Sequence, residues 1–330
     1  MPGLESIRTA RPSDPFLTDF AVSFRGANEG GAVADELFVP TPTKGDTGVY
    51  LVWSSGNVFR QRNTAWAKGA PTPEMRIRAK SDTFACKKYG IKTSIDDDDR
   101  DNNLAGAALD QEAIGSLTKT MMLDRETRIQ TAVAALATDL DITTPANRQW
   151  DESASTSKKD IDGGSEAIRK AVGMSPNLLI MGRSIYNSLR NDASITGGAA
   201  KNLFDAMVYT LSMANGNITP QLLAGYFDVE RVLVASMVYD AAIETGTVDD
   251  ANVTGTYIWP DDIILVRTEP TPTTTSLSFA KTFTSVPLYA TPRWREEDVE
   301  ADWLRVKTKV DEKVVSRKAG YYIKNVLNAV

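Results

Sequence analysis

One amphipathic stripe sets the scale of this chain. In LDQEAIGSLTKTMMLDRETRIQTAVAALATDL, Leu109 to Leu140, Ile114, Leu117 and Met121 share a face, and Ile129, Val133, Leu136 and Leu140 continue it at three- and four-residue spacing. At about 1.5 Å per residue the helix is roughly 45 Å long, well beyond the usual three turns. Asp96 to Asp101 precede it and Asp110 opens it, which suits its positive N-terminal end. Thr144-Pro145 is the expected stop.

Upstream lies a second unusual segment, NVFRQRNTAWAKGAPTPEMRIRAK, Asn57 to Lys80. It reads as two extended arms around a Gly-Ala-Pro-Thr-Pro turn. Arg60 and Arg62 alternate on the first arm, and Arg76, Arg78 and Lys80 on the second, so each set shares one face of its strand. Lys68 and Trp66 belong to the tip. A two-stranded hairpin is at best marginally stable alone, so this one requires something to pack against.

Charge is distributed unevenly. The net charge is −6 over 330 residues, which argues against a dedicated nucleic-acid binder. Yet Val58 to Lys92 holds nine Lys or Arg against Glu74 and Asp82 alone. DDDDRD (Asp96 to Asp101) follows, and EEDVEAD (Glu296 to Asp302) comes late. Such segregation suggests matching of basic and acidic segments within the subunit or between copies.

The first forty residues scatter their apolar groups without period, and FRGANEGGAVADELFVP reads as an arm over a surface and not a core element. GVYLVW is a strand, and TFACKKYGIKTSI continues the hairpin's return arm. After Lys159 short α and β pieces alternate. SEAIRKAVG is a helix ending at Gly173, NLLIMG a buried strand and RSIYNSLRND a helix. TPQLLAGYF is a helix with Thr219 as N-cap and Pro220 in first position. VERVLVAS, GTYIW and DIILVRT are strands, TEPTPTTTSLS is a loop, and DWLRVKTKVDEKVVSRKAGYYIKNV reads as two long strands joined near Asp311. No apolar run reaches the length of a membrane span, and MPGLESIRTARPSDPF lacks the apolar centre of a secretory signal.

Catalytic readings find little support. The chain has no histidine, which removes His-based triads and the commonest acid–base residue. Its one cysteine, Cys86, reads as a small strand residue. The Asp run lacks the turn glycine and distal glutamate of a hard-cation loop. Gly163-Gly164 has no Gly-Lys-Ser/Thr after it. Ser184 lacks a complete Gly-x-Ser-x-Gly and any histidine to activate it. Trp66 among cations could suggest base stacking; in an acidic chain it reads better as an anchor against protein. No cofactor or metal is expected.

The order of these pieces resembles the major capsid proteins of tailed bacteriophages, with the Hong Kong 97-type fold. LDRETRIQTAV, TPANRQWDESAS, SEAIRKAVGMSPNLLIMGRSIYNSLRND, TPQLLAGYFDVERVLVASMVYDAA, IWPDDIILVRT and VDEKVVSRKAGYYIKNVLNAV follow one another in family order, from about residue 44 to the end. The resemblance implies an α+β chain with an N-terminal arm (1–45), a two-stranded extension loop (46–95), a spine-helix peripheral domain (96–150 and 285–312) and an α/β axial domain (151–284 and 313–330). The hairpin is then the extension loop, lying over a neighbouring subunit that supplies its missing core.

The expected contact set is Arg60, Arg62, Trp66, Lys68, Arg76, Arg78 and Lys80 against Asp96, Asp97, Asp98, Asp99, Glu296, Glu297 and Asp298. The implied function is a non-enzymatic one. Many copies assemble as pentamers and hexamers into an icosahedral virion shell, built in the host cytoplasm, that encloses double-stranded DNA without specific binding. Expected partners are the chain itself, a separate scaffolding protein, a portal and, in some heads, a decoration protein; no membrane is involved. Nothing upstream of the arm resembles a cleaved scaffolding extension. Thr291 to Lys313 contains no Asn, so a Lys–Asn cross-link from Lys68 is not expected. The rivals are an encapsulin-type protein-cargo shell and a metal-dependent enzyme using the Asp run.

Overall fold

The computed structural model describes residues 17, 18, 21, 31–53, 61, 63–69, 71–74, 79–102, 108–136, 141–143, 150, 157–191, 218–240, 255–273, 276–285 and 288–327. In chain order their elements are α1 (Ala34–Leu37), β1 (Phe38–Pro42), β2 (Thr47–Trp53), β3 (Ala79–Ala85), β4 (Lys87–Asp96), α2 (Asp97–Asn102), α3 (Ala108–Ala134), β5 (Asp141–Thr143), α4 (Ser157–Val172), β6 (Leu178–Gly182), α5 (Arg183–Asn191), α6 (Pro220–Phe227), β7 (Arg231–Ala235), β8 (Val238–Asp240), β9 (Gly255–Tyr257), β10 (Ile263–Val266), β11 (Ala280–Thr284), β12 (Arg293–Glu296), β13 (Ala301–Val314) and β14 (Gly320–Lys324).

The long helix α3 buries Ile114, Leu117, Met121, Ile129 and Val133, the face its spacing predicts. It ends at Ala134, and Asp141–Thr143 is a strand in parallel register with Tyr322–Lys324; Leu140 lies outside the described residues. The expected stop, Thr144-Pro145, lies outside the described residues and well past the helix end.

Beside α3 lies a five-stranded sheet, β1-β11-β13-β12 with β4 on the other edge of β13. β13 is one continuous strand through Asp311, because β4 pairs with it up to Val310 and β11 pairs from there to Val314. The expected join near Asp311 is replaced by a turn at Arg317–Ala319. Leu304, Val306 and Val310 of β13 belong to the same core as α3. The hairpin's return arm breaks at Cys86: β3 pairs with β2, whereas β4 pairs along its whole length with β13.

A second sheet, β5-β14-β10-β6-β7, is buried on both sides. Leu178, Ile180, Ile264, Val266 and Tyr322 face the core shared with α3. Leu179, Met181, Ile263, Leu265, Tyr321 and Ile323 face a separate core with Ile161 and Ile168 of α4, Ile185 and Leu189 of α5, and Leu223 and Phe227 of α6. Two-sided burial explains why NLLIMG and DIILV are apolar without alternation. Thr219 caps α6, accepting from Leu222 N at 3.4 Å.

The N-terminal segment departs most from expectation. Val33, Ala34, Leu37 and Phe38 are buried in the α3 core, as are Leu17 and Ala21, and β1 pairs in parallel with β11. The described residues of this stretch pack into the core and do not run over the surface. Two adjacent charges on α3 fasten it. Glu126, fully buried, accepts from Val33 N (3.1 Å), Ala34 N (3.0 Å) and Trp259 Nε1 (2.7 Å). Arg125 pairs with Asp35 and donates to Thr282 Oγ1 (3.0 Å). Glu312 stands 3.3 Å from its Nε, close enough for the charges though not aligned as a hydrogen bond.

Candidate assembly surface

The hairpin β2–β3 has two unlike faces. Register places Gly48 opposite Phe84, Tyr50 opposite Asp82 and Val52 opposite Lys80 on one of them. Tyr50 and Phe84 are buried there against Phe283 of β11 and Val315. Phe84 stacks on Phe283 at 4.5 Å, and Tyr50 lies 5.1 Å from the same ring. Gly48 makes this possible, since a Cβ would lie 2.7 Å from the Phe84 ring. Tyr50 donates to Asp82 Oδ2 at 2.8 Å. Burial and the Asp82 charge push the Tyr50 hydroxyl's pKa up, and its hydrogen bond holds Asp82 below the usual carboxylate range.

The opposite face holds Val49 and Leu51 with Ser81 and Thr83, and it is open: Val49 is 61% exposed. At the tip Trp66 is 64% exposed, and Lys68 and Lys80 are exposed as well. Arg60, Arg62, Arg76 and Arg78 lie outside the described residues.

The two acidic runs meet each other. α2 and the β12–β13 turn lie side by side, with Asp97 N donating to Glu300 O at 3.1 Å. Arg295 holds Asp97 through two bonds (3.0 and 2.6 Å) and Glu297 through a third (2.9 Å). That bonding keeps Asp97 below the usual carboxylate range. Beneath it two arginines and two aspartates alternate: Arg100 contacts Asp110 (2.8 Å) and Asp302 (2.9 Å), and Arg293 contacts Asp110 (3.1 Å) and Asp302 (2.7 Å).

Asp97, Glu297 and Asp302 are thus engaged by arginines of their own chain. Asp96, Asp98, Asp99, Glu296 and Asp298 are exposed, and no ion pair engages them among the described residues. The sequence reading passed over Arg293 and Arg295, although they directly precede the acids, and Arg100, which sits among them. Among the described residues no three His, Cys, Asp or Glu side chains converge as a metal site requires. No helix there is long and apolar enough to cross a membrane.

The family model described as phage capsid protein matches residues 81–295, well over half of the chain. This chain belongs to the phage capsid protein family. A major capsid protein of the Burkholderia phage BcepMu is 25% identical over 241 residues, covering 68% of this chain and 69% of that one. A phage-related protein from Bordetella bronchiseptica RB50 superposes with a TM-score of 0.69 at 19% identity, over 96% of this chain and 98% of the other. The capsid structure of cyanophage P-SCSP1u gives 0.51 at 10% identity, over 87% and 85%. The mixed helix-and-sheet architecture is that of phage capsid structures, and the capsid protein's role is that of a shell component. Nothing here favours a cargo-enclosing bacterial compartment.

Proposed function

We propose that the capsid protein has the Hong Kong 97-type form of this architecture and that many copies, as pentamers and hexamers, close an icosahedral head around double-stranded DNA. In this reading residues 1–45 are the N-terminal arm, its described part packed into the subunit's own core, 46–95 the extension loop, 96–150 and 285–312 the peripheral domain, and 151–284 with 313–330 the axial domain. The role is structural rather than catalytic. Assembly takes place in the host cytoplasm with a separate scaffolding protein and a portal, and a decoration protein is a further partner that such a shell accommodates.

The observation that carries the reading is the two-faced hairpin: its base is seated on Phe283, while Val49, Leu51 and Trp66 are exposed. An apolar face and an aromatic tip beyond the chain's own core call for a partner that repeats with the subunit. The basic arms, Arg60, Arg62, Arg76, Arg78 and Lys80, then face a neighbour's unengaged carboxylates, chiefly Asp98, Asp99 and Asp298.

Negative-stain images of purified protein test the shell. Arg76→Glu with Arg78→Glu is expected to leave a folded subunit that does not assemble, and Asp98→Lys with Asp99→Lys in the same chain restores particles in part. A shell in which these arginines point to solvent, with no carboxylate of another subunit within about 4 Å, would rule the pairing out.

A further inference from the structure

The sheet face turned away from α3 is ordered in rows. Register sets Asp96, Ala301 and Glu296 side by side, then Ser94, Trp303 and Trp294. Lys92 beside Arg305 comes next, followed by Gly90 beside Lys307 and Lys88 beside Lys309. The face therefore passes from an acidic row through a tryptophan row into cationic ones.

The cationic rows are poorly matched within the chain. Lys92 lies directly opposite Arg305 and Lys88 directly opposite Lys309, and like charges so placed repel. Relief is partial. Asp46 takes Lys309, Lys92 sits 3.8 Å from the Trp303 ring centre and Arg305 5.4 Å from that of Trp294. Burial, and then Arg305 and Lys88, hold the Lys307 pKa below its usual value. Two donors, Trp303 Nε1 and Arg305 Nε, are closed to water and have no acceptor among the described residues. A second chain's carboxylates would answer the like-charged Lys92–Arg305 and Lys88–Lys309 pairs, though not the two closed donors. The face carries exposed ones on Asp96 and Glu296, but about 13 Å along the strands from the Lys92–Arg305 row.

We propose that two copies of the capsid protein pair through this face about a local two-fold axis at the tryptophan row. That row lies two residues, about 7 Å, from the acidic row on one side and from the Lys92–Arg305 row on the other. A two-fold through it therefore sets Asp96 and Glu296 of each copy on Lys92 and Arg305 of its mate, as an isologous contact requires. A nucleic acid fits less well: Trp294 and Trp303 stack on each other, Lys92 covers Trp303, and the acidic row adjoins. The inference takes its setting from the shell reading, and it leaves Asp98, Asp99 and Asp298 to the hairpin.

Two charge-reversed variants of the full chain test it. Asp96→Lys with Glu296→Lys makes the face basic throughout, and Lys92→Glu with Arg305→Glu makes the rows on both sides of the tryptophans acidic. Lys88→Glu with Lys92→Glu, both at exposed positions, removes cations from the same rows without touching the half-buried Arg305, each new carboxylate lying opposite Arg305 or Lys309 of its own chain. Sedimentation is expected to show pairing weakened by about tenfold or more in each variant alone, in subunits that circular dichroism shows to be folded. Equimolar mixing of the basic and acidic variants restores pairing. Variants that pair like the parent chain, or a mixture that pairs no better than its components, overturn the inference. So does an acidic variant that loses duplex DNA binding while its pairing is intact. Micrographs judge the shell reading separately: particles that ignore these reversals sink the two-fold face alone, and face-dependent pairs without particles support the face and sink the shell.

Discussion

The long helix and the hairpin both mix charge with apolar surface, and they resolve it in opposite ways. On α3 the charges at Arg125 and Glu126 are buried, and each finds its partners inside the chain: Asp35, Thr282 and Glu312 for the arginine, two backbone N–H groups and the Trp259 indole for the glutamate. On the hairpin only one face is satisfied, by Phe283 and Val315, and the other holds Val49 and Leu51 in the open. Residues of the first kind decide whether a subunit folds. Residues of the second kind can be changed in a folded subunit and should register only when copies meet.

The hardest blow to that distinction falls on the helix. Ile129→Asp puts an unpaired charge at a fully buried site, at a cost of about 4 kcal/mol or more, and is expected to leave no soluble subunit. Soluble protein with native helix content by circular dichroism would mean that the helix face is misassigned. Trp66→Ala should do the reverse. The monomer's melting temperature stays unchanged and particles disappear from micrographs, with about 2 kcal/mol or more lost per contact if Trp66 is a central anchor. A monomer that unfolds instead would place Trp66 among the folding residues.

This division was legible in the sequence only in part. The stripe Ile114, Leu117, Met121, Ile129, Val133 gave the buried face of α3 outright. Its one gap, between Met121 and Ile129, is where Arg125 and Glu126 sit, and a charged pair filling a gap in a core stripe was the available sign of buried polar anchors. What they anchor could not be read locally, because Val33 and Trp259 are 93 and 133 residues away. The same limit hid the N-terminal segment: Val33, Ala34, Leu37 and Phe38 have core spacing, but over a single turn, too short to separate from chance. The acidic runs were visible as composition. Which of their members are engaged depends on Arg100, Arg293 and Arg295 arriving through the fold.

A smaller effect sharpens the helix side of the comparison. Glu126→Gln keeps the shape and an acceptor oxygen but removes the charge that meets three donors. With one orphaned or misdirected group left behind, the loss is about 1–3 kcal/mol near neutral pH, read by chemical denaturation. The pH dependence gives the finer test. Burial raises the Glu126 carboxyl's pKa, outweighing the Trp259, Val33 and Ala34 donors that favour its charge. A raised folded pKa means that the group's contribution is fully present below the unfolded Glu range and declines as pH rises through the folded value. The parent chain should therefore gain stability relative to Glu126→Gln on acidification towards that range. Asp46, Asp82 and Asp97, whose pKa values are lowered, work in the opposite direction and lose their contributions as pH falls. They are common to both proteins, so the difference between the two stability curves isolates Glu126. A gap that widens on acidification in favour of Gln would mean that the three donors, and not burial, dominate this carboxylate, and that the buried node on α3 is held together by its charge.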